Sequence, residues 1–145
     1  MPVIHSEIDV HGEEFAKNRD AMIKAVDSFR QIEQNCLNKA AEAKAKFEKR
    51  GQLLPRERLN LLLDPGAPFL ELSSLAGYKL HDDKDGTQAG GGIISGIGYI
   101  AGVRCLVTAS NSAIKGGTIS PTGLKKTLRL QQIAFENKLP VVALT

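Results

Sequence analysis

Gly91-Gly-Ile-Ile-Ser-Gly-Ile-Gly-Tyr-Ile100, Ala101-Gly102 and Val103-Arg-Cys-Leu-Val-Thr-Ala109 form the stretch whose reading decides the fold. The two apolar runs read as strands, and the Ala-Gly pair between them has the length and chemistry of a tight hairpin. Ser110-Asn-Ser-Ala-Ile-Lys-Gly-Gly-Thr118 follows as a glycine loop. Ser120-Pro121 then announces a helix, with Ser as N-cap and Pro at the first helical position, where its missing N–H costs nothing. Leu124, Leu128, Ile133, Ala134 and Phe135 carry the helix to about Lys138, and Pro140 stops it. Residues 140–145 read as a buried strand. The unit is strand, strand, glycine loop, helix, strand, and its loop points at a helix N-terminus.

Upstream, residues 1–10 read as a loose arm. A long helical pattern runs from near His11-Gly-Glu-Glu14 to about Arg50, with Met22, Val26, Phe29, Cys36, Ala40, Ala43 and Phe47 on one face. It reads as a helix or helix pair lying on something larger, closed by Gly51. Pro55 to Leu63 is a short helix ended by the Asp64-Pro-Gly66 turn. Pro68 to Leu72 reads as a strand. Tyr78 to Gln88, with Asp82, Asp83 and Asp85, reads as an exposed, mobile loop.

The 145 residues suit one domain; 42% are hydrophobic and 24% charged, which excludes a wholly disordered chain. The net charge of +3 is spread along the chain, with no block that argues for nucleic acid or a membrane surface. No apolar run suggests a secretory signal or a membrane span. Cys36 and Cys105 lie far apart in apolar patterns, so both are expected as reduced, buried thiols of a soluble intracellular protein.

Catalytic side chains are scarce. His5, His11 and His81 have no neighbours spaced for a triad or a metal site, and the Asp82–Asp85 region lacks the ligand spacing of a calcium loop. The backbone offers more. Gly116 and Gly117 let main-chain N–H groups approach a ligand, and the following helix N-terminus favours an anion or a developing oxyanion. Lys115 adds a point charge. Lys125, Lys126 and Arg129 fall on or near the exposed face of the same helix. A plain tight turn with solubilising lysines accounts for the same residues.

Four motifs then occur in a family's order. They are Leu54-Pro-Arg-Glu-Arg-Leu-Asn-Leu-Leu-Leu-Asp-Pro-Gly66, Gly92-Ile-Ile-Ser-Gly-Ile-Gly98, Ile114-Lys-Gly-Gly-Thr118 and Gln132-Ile-Ala-Phe-Glu-Asn-Lys-Leu-Pro-Val-Val142. Together they resemble the N-terminal part of the carboxyltransferase (β) subunit of biotin-dependent acyl-CoA carboxylases, in the methylcrotonoyl-CoA and geranyl-CoA carboxylase branch. The resemblance implies an α/β fold of the crotonase-like β-β-α superhelix type, with residues 1–50 as a helical arm and 51–145 as the start of a truncated acyl-CoA-binding domain. The family subunit is several times longer, so these residues alone are expected to be inactive.

In that family carboxybiotin, carried on a biotin carboxylase/biotin carrier α subunit, delivers its carboxyl group to an acyl-CoA. Backbone amides stabilise the thioester enolate, so the absence of a catalytic side chain here agrees with the implied mechanism. The resemblance implies acyl-CoA contacts for Lys115, Gly116, Gly117, Thr118, Ile119 and Ser120, and CoA-phosphate contacts for Lys125, Lys126 and Arg129. It implies no metal in this subunit. It further implies a homo-oligomer of β subunits, a cytoplasmic location (mitochondrial matrix in a eukaryote) and a place in acyclic terpene or leucine catabolism. Where the methylcrotonoyl branch carries aromatic residues after Gly-Gly-Thr, this chain has Ile119-Ser120, which favours a longer, geranyl-like acyl chain. Rival readings are another crotonase-superfamily enzyme, such as an acyl-CoA decarboxylase subunit, and a non-catalytic assembly module built on the 11–50 helix.

Overall fold

The computed structural model describes residues 5, 6, 8–81, 83–118 and 120–145, with the backbone alone for Lys115. The proposed arm at residues 1–10 therefore lies partly outside the described residues, and Asp82 and Ile119 lie wholly outside them. The chain divides into two units, Met1–Ile32 and Glu33–Thr145.

Helix α1 spans Glu13–Ala41 and passes from one unit into the other. Glu13 and Glu14 in its first turn and Lys39 in its last turn complement the helix dipole. Of the helix or helix pair expected to about Arg50, the structure has the pair: α1 ends at Ala41 and a short α2, Lys44–Glu48, follows. Gly51 N–H donates to Glu48 O at 2.9 Å and Gln52 N–H to Phe47 O at 3.0 Å. This paired closure explains why the helix ends at that glycine. In the first unit Met22, Ile23, Val26 and Phe29 are exposed.

The second unit is built on a four-stranded sheet in the order β1-β2-β3-β4. Its strands are β1 (Leu70–Glu71), β2 (Ile93–Ile100), β3 (Val103–Ser110) and β4 (Val141–Leu144). β1 and β3 are antiparallel to β2, and β4 is parallel to β3. The β2–β3 register pairs Ile100 with Val103, so Ala101 and Gly102 are the two hairpin residues. Their φ values of 50° and 76° fit the turn whose twist matches the flanking strands. Asp64 closes the turn from outside: its carboxylate accepts from Ala101 N and Gly102 N, each at 2.7 Å.

Helices cover both faces of this sheet. α3 (Pro55–Leu62) brings Leu59 against Ile94, Cys105, Val107 and Ala109 on one face. Gly96 and Gly98 lie on that face because a side chain there would strike the Phe69 ring or Leu63. α4 (Pro121–Glu136) packs Leu130 and Ala134 on Leu106 on the other face. Burial on this scale stabilises by about 1.5–3 kcal/mol for each large apolar side chain.

The C-terminal strand was expected to be buried. Instead β4 is a sheet edge, exposing Val141 and Ala143 while Val142 and Leu144 meet the core. The loop expected to be exposed and mobile holds a buried carboxylate. Asp83 is 2% exposed and accepts from Lys79 N at 3.2 Å and Gln88 N at 2.8 Å. It is a local organiser of the loop rather than a solvating charge. Cys105 is buried as expected, but Cys36 is only half-buried, and both are free thiols. No helix among the described residues is long and apolar enough to cross a membrane.

Candidate functional site

The glycine loop between β3 and α4 is anchored at Ile114, a buried side chain, and turns through a single 3-10 turn at Lys115–Gly117. Gly116 has φ 64° and ψ 17°, a left-handed conformation that breaks the turn and suits glycine. Ile114 N–H donates to Asn111 O at 3.0 Å and Gly117 N–H to Ile114 O at 3.3 Å. Gly116 and Thr118 are exposed. The loop thus presents an accessible backbone segment on a buried anchor.

Ser120 is the N-cap of α4, and its Oγ accepts from Gly123 N at 3.0 Å. One amide of the expected anion-binding helix terminus is therefore engaged within the protein. Ser120 shapes the start of the helix before it can shape a ligand. Gly116 and Gly117 belong to the 3-10 turn, Thr118 follows it, and Ser120 opens α4.

The basic set divides. Lys125 and Arg129 are exposed, one turn apart, and neither forms an ion pair among the described residues. Lys126, expected with them near the solvent face, is buried at 6% exposure. Its ammonium donates to Ile93 O at 2.7 Å, Gly90 O at 3.1 Å and Ser73 O at 3.2 Å. A phosphate on the surface is out of its reach. Loss of hydration pushes its pKa down to about 8; Glu71 opposes the shift and Arg56 adds to it.

A cavity of about 400 Å³ adjoins the loop within the Glu33–Thr145 unit. Cys36, Leu37 and Ala40 of α1, Pro55 of α3, and Ala113 and Ile114 of the loop are among its walls. Most of its lining is apolar, with Arg56, Asn60, Glu71 and Asn111 among the polar residues. Arg56 holds Glu71 in a two-pronged pair, Nη1 to Oε2 at 2.8 Å and Nη2 to Oε1 at 3.0 Å. Such a lining suits an apolar ligand carrying a few polar atoms. Cys36 borders it with Sγ 3.8 Å from Gly86 O, and burial pushes its thiol pKa up. Among the described residues no group of three His, Cys, Asp or Glu side chains is placed to hold a metal ion.

The carboxyl transferase domain model matches residues 46–145, the part that holds the sheet, the loop and α4. The chain belongs to the carboxyl transferase domain family. It is similar to the β subunit of P. aeruginosa geranyl-CoA carboxylase, with 79% identity and a TM-score of 0.88, covering 99% of this chain and 27% of that one. It is 43% identical to the probable mitochondrial methylcrotonoyl-CoA carboxylase β chain of Drosophila melanogaster, covering 98% of this chain and 24% of the relative. The transcarboxylase 12S core, whose crystal structure is a hexamer with methylmalonyl-coenzyme A bound, shares the fold at 22% identity and a TM-score of 0.67, covering 86% of this chain and 24% of that one. The chain spans about a quarter of the length of these relatives.

The cavity escaped sequence reasoning because its walls come from segments far apart in the chain. The burial of Lys126 escaped it too, since a glycine and a lysine stand with Leu130 and Ala134 on the buried face of α4.

Proposed function

We propose that this chain is part of a carboxyltransferase subunit that moves the carboxyl group of carboxybiotin to a branched, unsaturated acyl-CoA of the geranyl-CoA or 3-methylcrotonoyl-CoA type. The 79% identity to a geranyl-CoA carboxylase β subunit, sustained over 99% of the chain, carries this reading. The β2-β3-α4 sequence of elements supports a repeat of the crotonase-like β-β-α superhelix. The acyl-CoA lies along the loop, with its acyl part in the adjoining cavity and the backbone amide of Gly116 toward its polar atoms. Lys125 and Arg129 are available to CoA phosphates, an arrangement in which exposed cations contribute more to encounter than to tightness. Biotin arrives on a partner α subunit, the β subunits assemble with one another, and no residue of this chain is assigned to the biotin.

The test begins with the native polypeptide that carries this segment. Its intact mass is expected to be several times 15.6 kDa, the mass of these 145 residues. Combined with its biotinylated partner, bicarbonate and ATP, it is expected to carboxylate geranyl-CoA in preference to 3-methylcrotonoyl-CoA. Replacing Ile119 with Tyr is then expected to shift the preference toward the shorter acyl group. An unchanged preference removes the chain-length argument, and no turnover of either thioester removes the reading.

A further inference from the structure

The environment of Lys126 matches the donor capacity of an ammonium. It has three N–H donors, and the structure supplies three carbonyl acceptors from Ser73, Gly90 and Ile93. Among the described residues no carboxylate is bonded to it. Gly90, Gly91 and Gly92 have φ values of 104°, 66° and 73°, a run of backbone that only glycine adopts readily. The carbonyls of Gly90 and Ile93, which flank Gly91 and Gly92, both face the ammonium.

That glycine turn touches the acyl-CoA loop at both ends. Gly92 O accepts from Asn111 N at 2.8 Å, where the loop begins. A Cβ on Gly92 would lie 3.1 Å from Thr118 O, where the loop leaves the 3-10 turn. Gly91, Gly92, Thr118, Ser120 and Thr122 face one another across a gap of about 20 Å³, about enough for a single water.

We propose that Lys126 is a positioning residue of the acyl-CoA site: its ammonium fixes the 90–93 turn, which in turn fixes both ends of the 111–118 loop. The inference rests on the acyl-CoA reading of that loop. A neutral amine has two N–H donors for three carbonyls, so deprotonation leaves one carbonyl without its partner and loosens the turn. Burial brings this change to about pH 8. The charged groups that face the ammonium are Glu71 on β1 and Arg56 on α3, which act in opposite senses and are paired with each other.

The experiment uses the native polypeptide carrying this segment and its Lys126→Met variant. Affinity for geranyl-CoA is measured by calorimetry from pH 6.5 to 9.5, beside amide hydrogen exchange corrected for intrinsic rate. Wild-type affinity is expected to fall roughly tenfold across pH 8, the scale of one hydrogen bond to a charged group, while the variant is weak and flat with pH. A folded variant with wild-type affinity and the wild-type pH profile overturns the proposal and leaves the acyl-CoA reading intact. If neither protein binds the thioester, the acyl-CoA reading fails and the role of Lys126 in the site fails with it. Exchange then separates the two, because Asn111 and Ile114 amides that loosen near pH 8 in wild type alone keep the contact as a loop anchor. If the variant does not fold, wild-type exchange decides, and protection of those amides that stays flat across pH 8 overturns the proposal.

Discussion

Gly91 and Gly123 meet backbone to backbone. A Cβ on Gly91 would stand 2.9 Å from the Cα of Gly123, and one on Gly123 would overlap the carbonyl oxygen of Gly91. The contact seats the first turn of α4 on the glycine turn that enters β2, so the loop between β3 and α4 has a fixed landing point. Gly123→Ala is expected to destabilise the fold by about 1–3 kcal/mol through overpacking, outweighing the roughly 1 kcal/mol that alanine adds to helix propensity. Urea denaturation of both proteins checks this, and a variant at least as stable as wild type shows that the turn yields freely.

Asp64 spans the Ala101-Gly102 hairpin with two bonds of 2.7 Å, linking the turn after α3 to the far end of β2 and β3. Hydrogen bonds to a charged acceptor contribute about 1.5–3 kcal/mol each when sheltered and less where water competes, as it does at this exposed turn. Asp64→Ala is expected to cost about 1–2 kcal/mol, and Asp64→Asn, which keeps one acceptor, about half of that. Thermal unfolding of both variants tests the ordering, and equal losses would mean that only the charge matters.

The parts of the fold that local chemistry controls were legible. The Pro55 and Ser120-Pro121 helix starts, the Ala101-Gly102 hairpin and the stop at Pro140 each depend on residues adjacent in sequence, and their elements fall within about three residues of the reading. The orientation of α4 was not legible from hydrophobicity. Leu124, Leu128 and Phe135 are exposed, Phe135 at 86%, while the inward face carries Gly123, Lys126, Leu130 and Ala134. A glycine and a lysine on the buried face hide it from an apolar count, because their burial rests on backbone contacts made by distant segments. Asp83 was misread for the same reason, since its partners are main-chain amides with no signature in residue type. The glycine loop could be found as a loop before a helix, whereas the cavity beside it depends on tertiary packing.

Asp83 makes the 79–88 segment a closed loop, tying Lys79 N and Gln88 N to one buried carboxylate. Lys79 is held at φ 54°, a conformation that needs such support. Asp83→Ala is expected to cost about 2 kcal/mol, since both amides must then open to water, and Asp83→Asn less. Hydrogen exchange at Lys79 and Gln88 is the direct measure. Unchanged protection in Asp83→Ala would show that the loop closes without the carboxylate.

Lys126 sets the global stability and the local order of the loop moving in opposite directions with pH. Its pKa is about 8 in the folded chain against an ordinary 10.5, so between those values the unfolded chain holds a proton that the folded chain lacks. Stability therefore rises with pH through that window, by up to roughly 3 kcal/mol, and below pH 8 the folded state carries the whole cost of the buried charge. Over the same rise the neutral amine gives up one of its three carbonyls, so local protection of the 90–93 turn falls. Lys126→Met removes both trends; it is expected to unfold more easily at neutral pH because three carbonyls around the buried ammonium lose their donor, and to lack the rise above pH 8. Urea midpoints of wild type and variant at pH 7, 8.5 and 10 provide the comparison. A wild-type midpoint that rises no more than the variant's would show that Lys126 keeps its ordinary pKa, and that its three carbonyls offset the loss of hydration in full.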